Sequence, residues 1–147
     1  MIQYRPDHIH LLASDVIEVA RWYRDNLGAE IVESIQSDGK PRIDLRFGGL
    51  TIYLGEARTV EKWLGEKLGP PRSSSMLGLD HFGLAVDDVD AAVDELESKG
   101  VRGTFRPASI RPGCRAAFIA APDGVSIELV YRDPATDFQP AIYRQVA

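Results

Sequence analysis

Apolar residues recur along the chain in two rhythms, one of period two and one of three to four, and the same order of rhythms occurs twice. In HIHLLA (residues 8–13), Ile9, Leu11 and Ala13 take alternate places, the mark of a strand with one buried face. DVIEVARWYRDNLG (15–28) then sets Val16, Val19, Ala20, Tyr23 and Leu27 on one helical face. In the second half HFGLAV (81–86) alternates Phe82, Leu84 and Val86, and DVDAAVDELESKG (88–100) sets Val89, Ala92, Val93 and Leu96 on one helical face. Asp15 and Glu18 have capping-box spacing, with Asp in the place of the usual Ser or Thr, and Asp88 is an N-cap candidate. Gly28 and Gly100 stand where helix C-terminal caps belong.

Three strand-like runs follow each helix. They are AEIVESI, RIDLRF and GLTIYLGE in the first half, and VRGTF, CRAAFIA and GVSIELVY in the second. DHIHLLASDV (7–16) matches DHFGLAVDDV (80–89) at five of ten positions, and Gly49, Ile52 and Leu54 match Gly124, Ile127 and Leu129. Tyr53 falls opposite Glu128. Such self-similarity predicts a duplicated β-α-β-β-β module. The expected fold is α+β, with two tandem modules forming a curved mixed sheet around a concave cavity. Within one domain, module 1 takes about residues 7–56, a linker 57–78, module 2 about 79–132, and a tail 133–147. In the linker TVEKWLGEKLG (59–69) reads as a short helix and PPRSSS (70–75) as a mobile stretch. The tail carries prolines and apolar residues that suit packing on a partner subunit. Loops 34–41, 57–79 and 104–113 are the expected seat of specificity.

Charge and composition exclude several classes of function. Net charge is −5 and the basic residues are scattered, so no nucleic-acid footprint or basic membrane face is expected. No run approaches the ~18 apolar residues of a membrane span, and no N-terminal signal is evident. The single cysteine, Cys114, forms no internal disulfide and reads as structural, so a cytoplasmic location is expected.

Strand alternation sorts the polar residues by face. With Ile9, Leu11 and Ala13 under the helix, His8, His10 and Leu12 point to the other side. By the same parity His81, Gly83 and Ala85 turn away from the second helix, and so do Ser126 and Glu128. Thr51 and Tyr53 share that side in the first half. If each sheet curves with its helix-free face inward, His8, His81, Tyr53 and Glu128 converge, and two imidazoles plus a carboxylate suit a divalent ion with open coordination positions. Arg42, Asp44 and Arg46 take the same face of RIDLRF, and Arg115 in CRAAF joins them. The guanidinium groups would orient a carboxylate or phosphate, and Asp44 is a candidate general base. RIDLR equally fits an exposed edge of alternating charges forming cross-strand pairs.

The stretches DHIHLLASDVIEVARWYRDNLG, LDHFGLAVDDVDAAVDELESKGV and AAFIAAPDGVSIELV resemble the vicinal oxygen chelate superfamily over roughly residues 7–132. That superfamily includes glyoxalase I, methylmalonyl-CoA epimerase, extradiol dioxygenases and small resistance proteins. The resemblance implies ligand positions on the first and last strand of each module, here His8, Tyr53, His81 and Glu128. Tyr53 departs from the Glu or Gln usual there, and a neutral tyrosine, of reference pKa about 10, is a poor ligand. One ion of Fe, Mn, Ni, Co or Zn is therefore expected on His8, His81 and Glu128. Tyr53 stands beside it as a hydrogen-bonding or proton-transfer group, with Glu56 a substitute only through a bulge or a slip of register.

The resemblance implies a glyoxalase- or epimerase-like lyase or isomerase using metal-stabilised proton transfer on a small carbonyl or carboxylate substrate. Glu128, Tyr53 and Asp44 are then its catalytic candidates, and His10, Arg42, Arg46 and Arg115 its substrate-binding ones. An Fe(II) extradiol-type dioxygenase is the second reading. It is weakened because Gly49-Leu50 and Ile119 stand where that group places a histidine and a tyrosine, for which His10 and Tyr53 are candidate stand-ins from other strands. A non-catalytic, resistance-type binding protein is the third. A homodimer is expected, with no nucleic-acid or membrane partner.

Overall fold

Two compact units, Met1–Pro70 and Pro71–Ala147, make up the chain. The computed structural model describes residues 2, 5–35, 39, 41–69 and 78–136. The PPRSSS stretch, loop positions 36–38 and 40, and the tail from residue 137 lie outside the described residues.

The first unit runs β1 (Ile9–Ala13), α1 (Val16–Leu27), β2 (Glu30–Ile35), β3 (Pro41–Phe47), β4 (Leu50–Glu56) and α2 (Ala57–Leu64). Its sheet has the order β1-β4-β3-β2, with β1 parallel to β4 and the other pairs antiparallel. The second unit runs β5 (Phe82–Ala85), α3 (Val89–Ser98), β6 (Gly103–Arg111), β7 (Cys114–Ala120) and β8 (Ser126–Arg132), in the order β5-β8-β7-β6. The molecule is thus α+β, with two open four-stranded mixed sheets built from tandem β-α-β-β-β modules. Even the register repeats. Ile9 pairs with Ile52 on the parallel rung of the first sheet, and Phe82 with Ile127 on that of the second.

The helices begin and end where their caps are. Asp15 Oδ1 accepts hydrogen bonds from the backbone N–H groups of Ile17 and Glu18, both at 3.0 Å, and so satisfies two donors the first turn leaves open. Gly28 closes α1 in the left-handed region at φ 71°, where a side chain would be strained. Asp88 caps α3 through Ala91 N at 3.0 Å.

Each helix lays its apolar stripe on one face of its sheet. In the first unit Val19, Ala20 and Tyr23 meet Leu45 and Ile52, all buried. In the second, Val89, Val93 and Leu96 meet Ile119, Ile127 and Leu129. Burying one such aliphatic side chain contributes about 1.5–3 kcal/mol, so these stripes fix which face of each sheet is left for chemistry.

Two expectations change. Residues 104–111, read as loop, belong to β6, and only Pro112 and Gly113 turn the chain into β7. The ladder there is irregular, with register shifts after Gly103, Phe105 and Ser109, and β6 is an edge strand that tolerates the missing donor of Pro107. These breaks erase the period-two signal. The linker helix starts at Ala57, directly off β4, and buries none of its side chains, and Trp63 is 79% exposed.

Candidate functional site

On the helix-free face of the first sheet the side chains form a layered cluster. His8 lies just before β1 and stacks on Tyr53 of β4, with centroids 3.8 Å apart and planes 22° from parallel. On the Tyr53 ring also rests the guanidinium of Arg42, from β3, 3.6 Å from the centroid. Arg42 Nε donates to Asp44 Oδ1 at 2.8 Å. This holds the guanidinium above its ordinary pKa, first through Asp44 and then through Tyr53. Asp44 is in turn the cross-strand partner of Tyr53. His10 sits edge-on to Tyr53 at 6.4 Å and lies over Gly55, where a Cβ would come within 2.5 Å of its Nε2. Arg46 is exposed on the same strand parity as Arg42.

In the RIDLR stretch the charges pair along β3 rather than across strands. Arg42 and Asp44 make a local ion pair, yet they do so against Tyr53 beside His8. Glu56 ends β4 in regular register with Ala13, with no bulge that would bring it to the position of Tyr53.

In the second unit His81 precedes β5, and its Nε2 lies 3.5 Å from Glu128 Oε2 on β8. Its ring meets Phe118 edge-on at 4.9 Å, and Phe118 is the cross-strand partner of Glu128. Gly83 stands opposite Glu128 on β5, where a Cβ would be in ordinary contact with Oε2 at 3.5 Å.

Arg115 is placed away from this group. It is on the β7 parity of Ala117 and Ile119, against α3, and its guanidinium grips the Asp90 carboxylate, with Nη2 to Oδ1 at 2.6 Å and Nε to Oδ2 as the second bond. That bond holds Asp90 below and Arg115 above their ordinary pKa values. Arg115 thus serves α3 rather than the face that carries Glu128. Cys114 is buried with Arg132 Nη1 3.7 Å from its sulfur, in keeping with a structural part.

Sequence reasoning missed three participants. Asp7 and Asp80 each bond the histidine that follows them, through Nδ1, at 2.9 and 2.6 Å. Both were visible as matched positions of the repeat. Phe118 was hidden because β7 is apolar on both faces.

In the second unit two candidate donors, His81 Nε2 and Glu128 Oε2, face each other. Two ligands each about 2.1 Å from one ion, at angles near 90–110°, stand roughly 3–3.5 Å apart, the separation His81 and Glu128 already have. Among the described residues no group of three or more His, Cys, Asp or Glu side chains is placed to hold a metal. Nor is any helix of the described residues long and apolar enough to cross a membrane.

Residues 5–129 match the profile of the Glyoxalase/Bleomycin resistance protein/Dioxygenase superfamily. A stretch of 61 residues is 39% identical to a probable chloroplastic lactoylglutathione lyase of Arabidopsis thaliana, covering 41% of this chain but 17% of that protein. Over 124 residues the chain is 29% identical to the uncharacterised protein YaeR of Escherichia coli (strain K12), covering 83% of this chain and 92% of that one. The solved structure of a glyoxalase family protein from Enterococcus faecalis superposes with a TM-score of 0.65 at 21% identity, over 86% of this chain and 96% of that one. At that identity the likeness shows the fold.

Proposed function

Because the chain belongs to the glyoxalase, bleomycin resistance protein and dioxygenase superfamily, we propose that it is a metal-dependent lyase or isomerase acting by proton transfer beside a carbonyl. The observation that carries the reading is the His81–Glu128 pair, two donors already at ligand spacing. The partial likeness to a lactoylglutathione lyase supports the choice of reaction. His81 and Glu128, with His8 as third ligand, would hold the ion. When bound, a divalent ion supplies a Lewis acid that stabilises negative charge on neighbouring substrate oxygens.

The chain's own residues have distinct parts. Tyr53 is the proton-transfer group through its hydroxyl, and Asp44 is the candidate base. Arg42 is committed to Asp44 and Tyr53, so its task is to fix those two groups. Arg46, exposed on the same face, is then the cation that meets an anionic substrate group. His10 binds the substrate from its place over Gly55. The protein works as a homodimer on this reading, and sedimentation at the mass of one chain would remove that part.

The test is proton exchange. Protein loaded with Co, Ni, Zn or Mn is incubated in D2O with S-lactoylglutathione and a panel of small 2-hydroxy and 2-oxo carbonyl compounds. Loss of the signal of the proton next to the carbonyl is expected with at least one of them. Metal binding with no exchange across the panel would favour a non-catalytic binding protein. Oxygen uptake on adding a catechol to the iron-loaded protein would favour the dioxygenase.

A further inference from the structure

Both histidines that the metal reading uses carry a carboxylate on their rear nitrogen, and in each case it comes from the residue immediately before. Asp7 Oδ2 is 2.9 Å from His8 Nδ1, and Asp80 Oδ2 is 2.6 Å from His81 Nδ1. We propose that Asp7 and Asp80 are positioning residues that hold the ring proton on Nδ1 and so make Nε2 the metal-facing donor in both halves. The inference rests on the metal-binding reading above and deepens it.

The chemistry is one of donors and acceptors. An ionised carboxylate only accepts, so the nitrogen it touches must be the one that donates. A neutral imidazole has a single N–H, and placing it on Nδ1 leaves a lone pair on Nε2. Such a carboxylate behind a ligand histidine fixes both the tautomer and the edge of the ring that faces the ion. In the second unit Asp80, at 2.6 Å, is much the nearer acceptor and takes the single N–H, while Nε2, 3.5 Å from Glu128, is the edge turned toward the other proposed ligand. In the first, stacking on Tyr53 sets the plane of the His8 ring, and Asp7 selects which edge points outward.

Strand geometry alone would not bring these neighbours together, since successive side chains along a strand point to opposite faces. Both contacts form because His8 and His81 stand one residue before β1 and β5, where the chain is not yet in a ladder. The arrangement appears in both halves of the duplication. His10 is the internal contrast: it lies inside β1, follows Ile9, and has no such carboxylate among the described residues.

Asp7 and Asp80 have side chains 81% and 61% exposed, so replacing them leaves the core untouched. The experiment uses 15N-labelled, metal-free protein at a pH where the imidazoles are neutral, with long-range 1H–15N spectra to show which nitrogen holds each proton. His8 and His81 are expected in the Nδ1–H form. Asp7→Ala should move His8 alone towards the Nε2–H form that an isolated side chain prefers, and Asp80→Ala should move His81 alone. In parallel, Co(II) titration should give affinity about 10–100-fold weaker in each variant. Either ring mainly Nε2–H in the wild type, or tautomers unmoved by the substitutions, overturns the inference. If the tautomers respond as expected and the wild type binds no Co(II), the metal reading fails while the tautomer assignment stands.

Discussion

The ring of Tyr53 lies flat against that of His8, 3.8 Å away between centroids. The matching rungs Ile9–Ile52 and Phe82–Ile127 show that Tyr53 stands to His8 as Glu128 stands to His81. Duplication has therefore produced two halves with the same frame and unequal chemistry. One presents an imidazole beside a carboxylate, and the other an imidazole beside an aromatic hydroxyl backed by Arg42.

The proposed function gives Tyr53 proton handling rather than ligation. Tyr53→Phe keeps the stack on His8 and removes only the hydroxyl. Metal content should be unchanged, and proton exchange should slow by about 10² to 10⁴-fold, the usual worth of a positioned acid or base. An exchange rate equal to that of the wild type would take Tyr53 out of the reaction.

Gly55 leaves space for His10. An alanine Cβ there would come 2.5 Å from Nε2, so the ring must move aside, which its flexible side chain allows at small cost. Gly55→Ala should raise KM by up to about tenfold, the value of one lost hydrogen bond, with the melting temperature little changed. Steady-state kinetics giving an unaltered KM would show that His10 does not bind substrate.

Arg115 and Arg46 should separate cleanly. Arg115 bonds Asp90 on the helix side of its sheet, so Arg115→Ala should leave KM unchanged, whereas Arg46→Ala should raise it. An increase of KM in the Arg115 variant alone would contradict this assignment.

The Asp90–Arg115 pair also gives a pH signature. Its bond to Arg115 holds the Asp90 carboxyl below the ordinary range, so its stabilisation is present above the unfolded-state pKa of about 3.9 and is lost as pH falls through the lowered folded value. In urea unfolding, the gap between wild type and Asp90→Asn should be full at neutral pH and close below about pH 4. A gap of constant size into acid would show that the charge of Asp90 adds nothing.

Much of the frame was legible in the chain. The offset repeat, the caps at Asp15, Asp88 and Gly28, and the alternation through Ile9, Phe82 and Ile127 all reflect local or period-two rules that one strand or helix obeys by itself. Arg115 was misplaced for a physical reason. Cys114, Ala116, Ala117 and Ile119 are all buried, so β7 is apolar on both faces and carries no alternation from which its polar member can be assigned. The irregular ladder of β6 hid that strand in the same way. Asp7 and Asp80 escaped notice because their contacts depend on where a ladder begins, which no side-chain period encodes. The layering of His8, Tyr53 and Arg42 needed the register of β1, β4 and β3 together.

The proposed function turns on a divalent ion, with His8, His81 and Glu128 as its proposed ligands, and elemental analysis of protein purified without an affinity tag tests it most directly. About one equivalent of metal per chain is expected for the wild type after reconstitution and dialysis, with most of it lost in each of His8→Ala, His81→Ala and Glu128→Ala. Metal retained undiminished in all three variants would contradict the account.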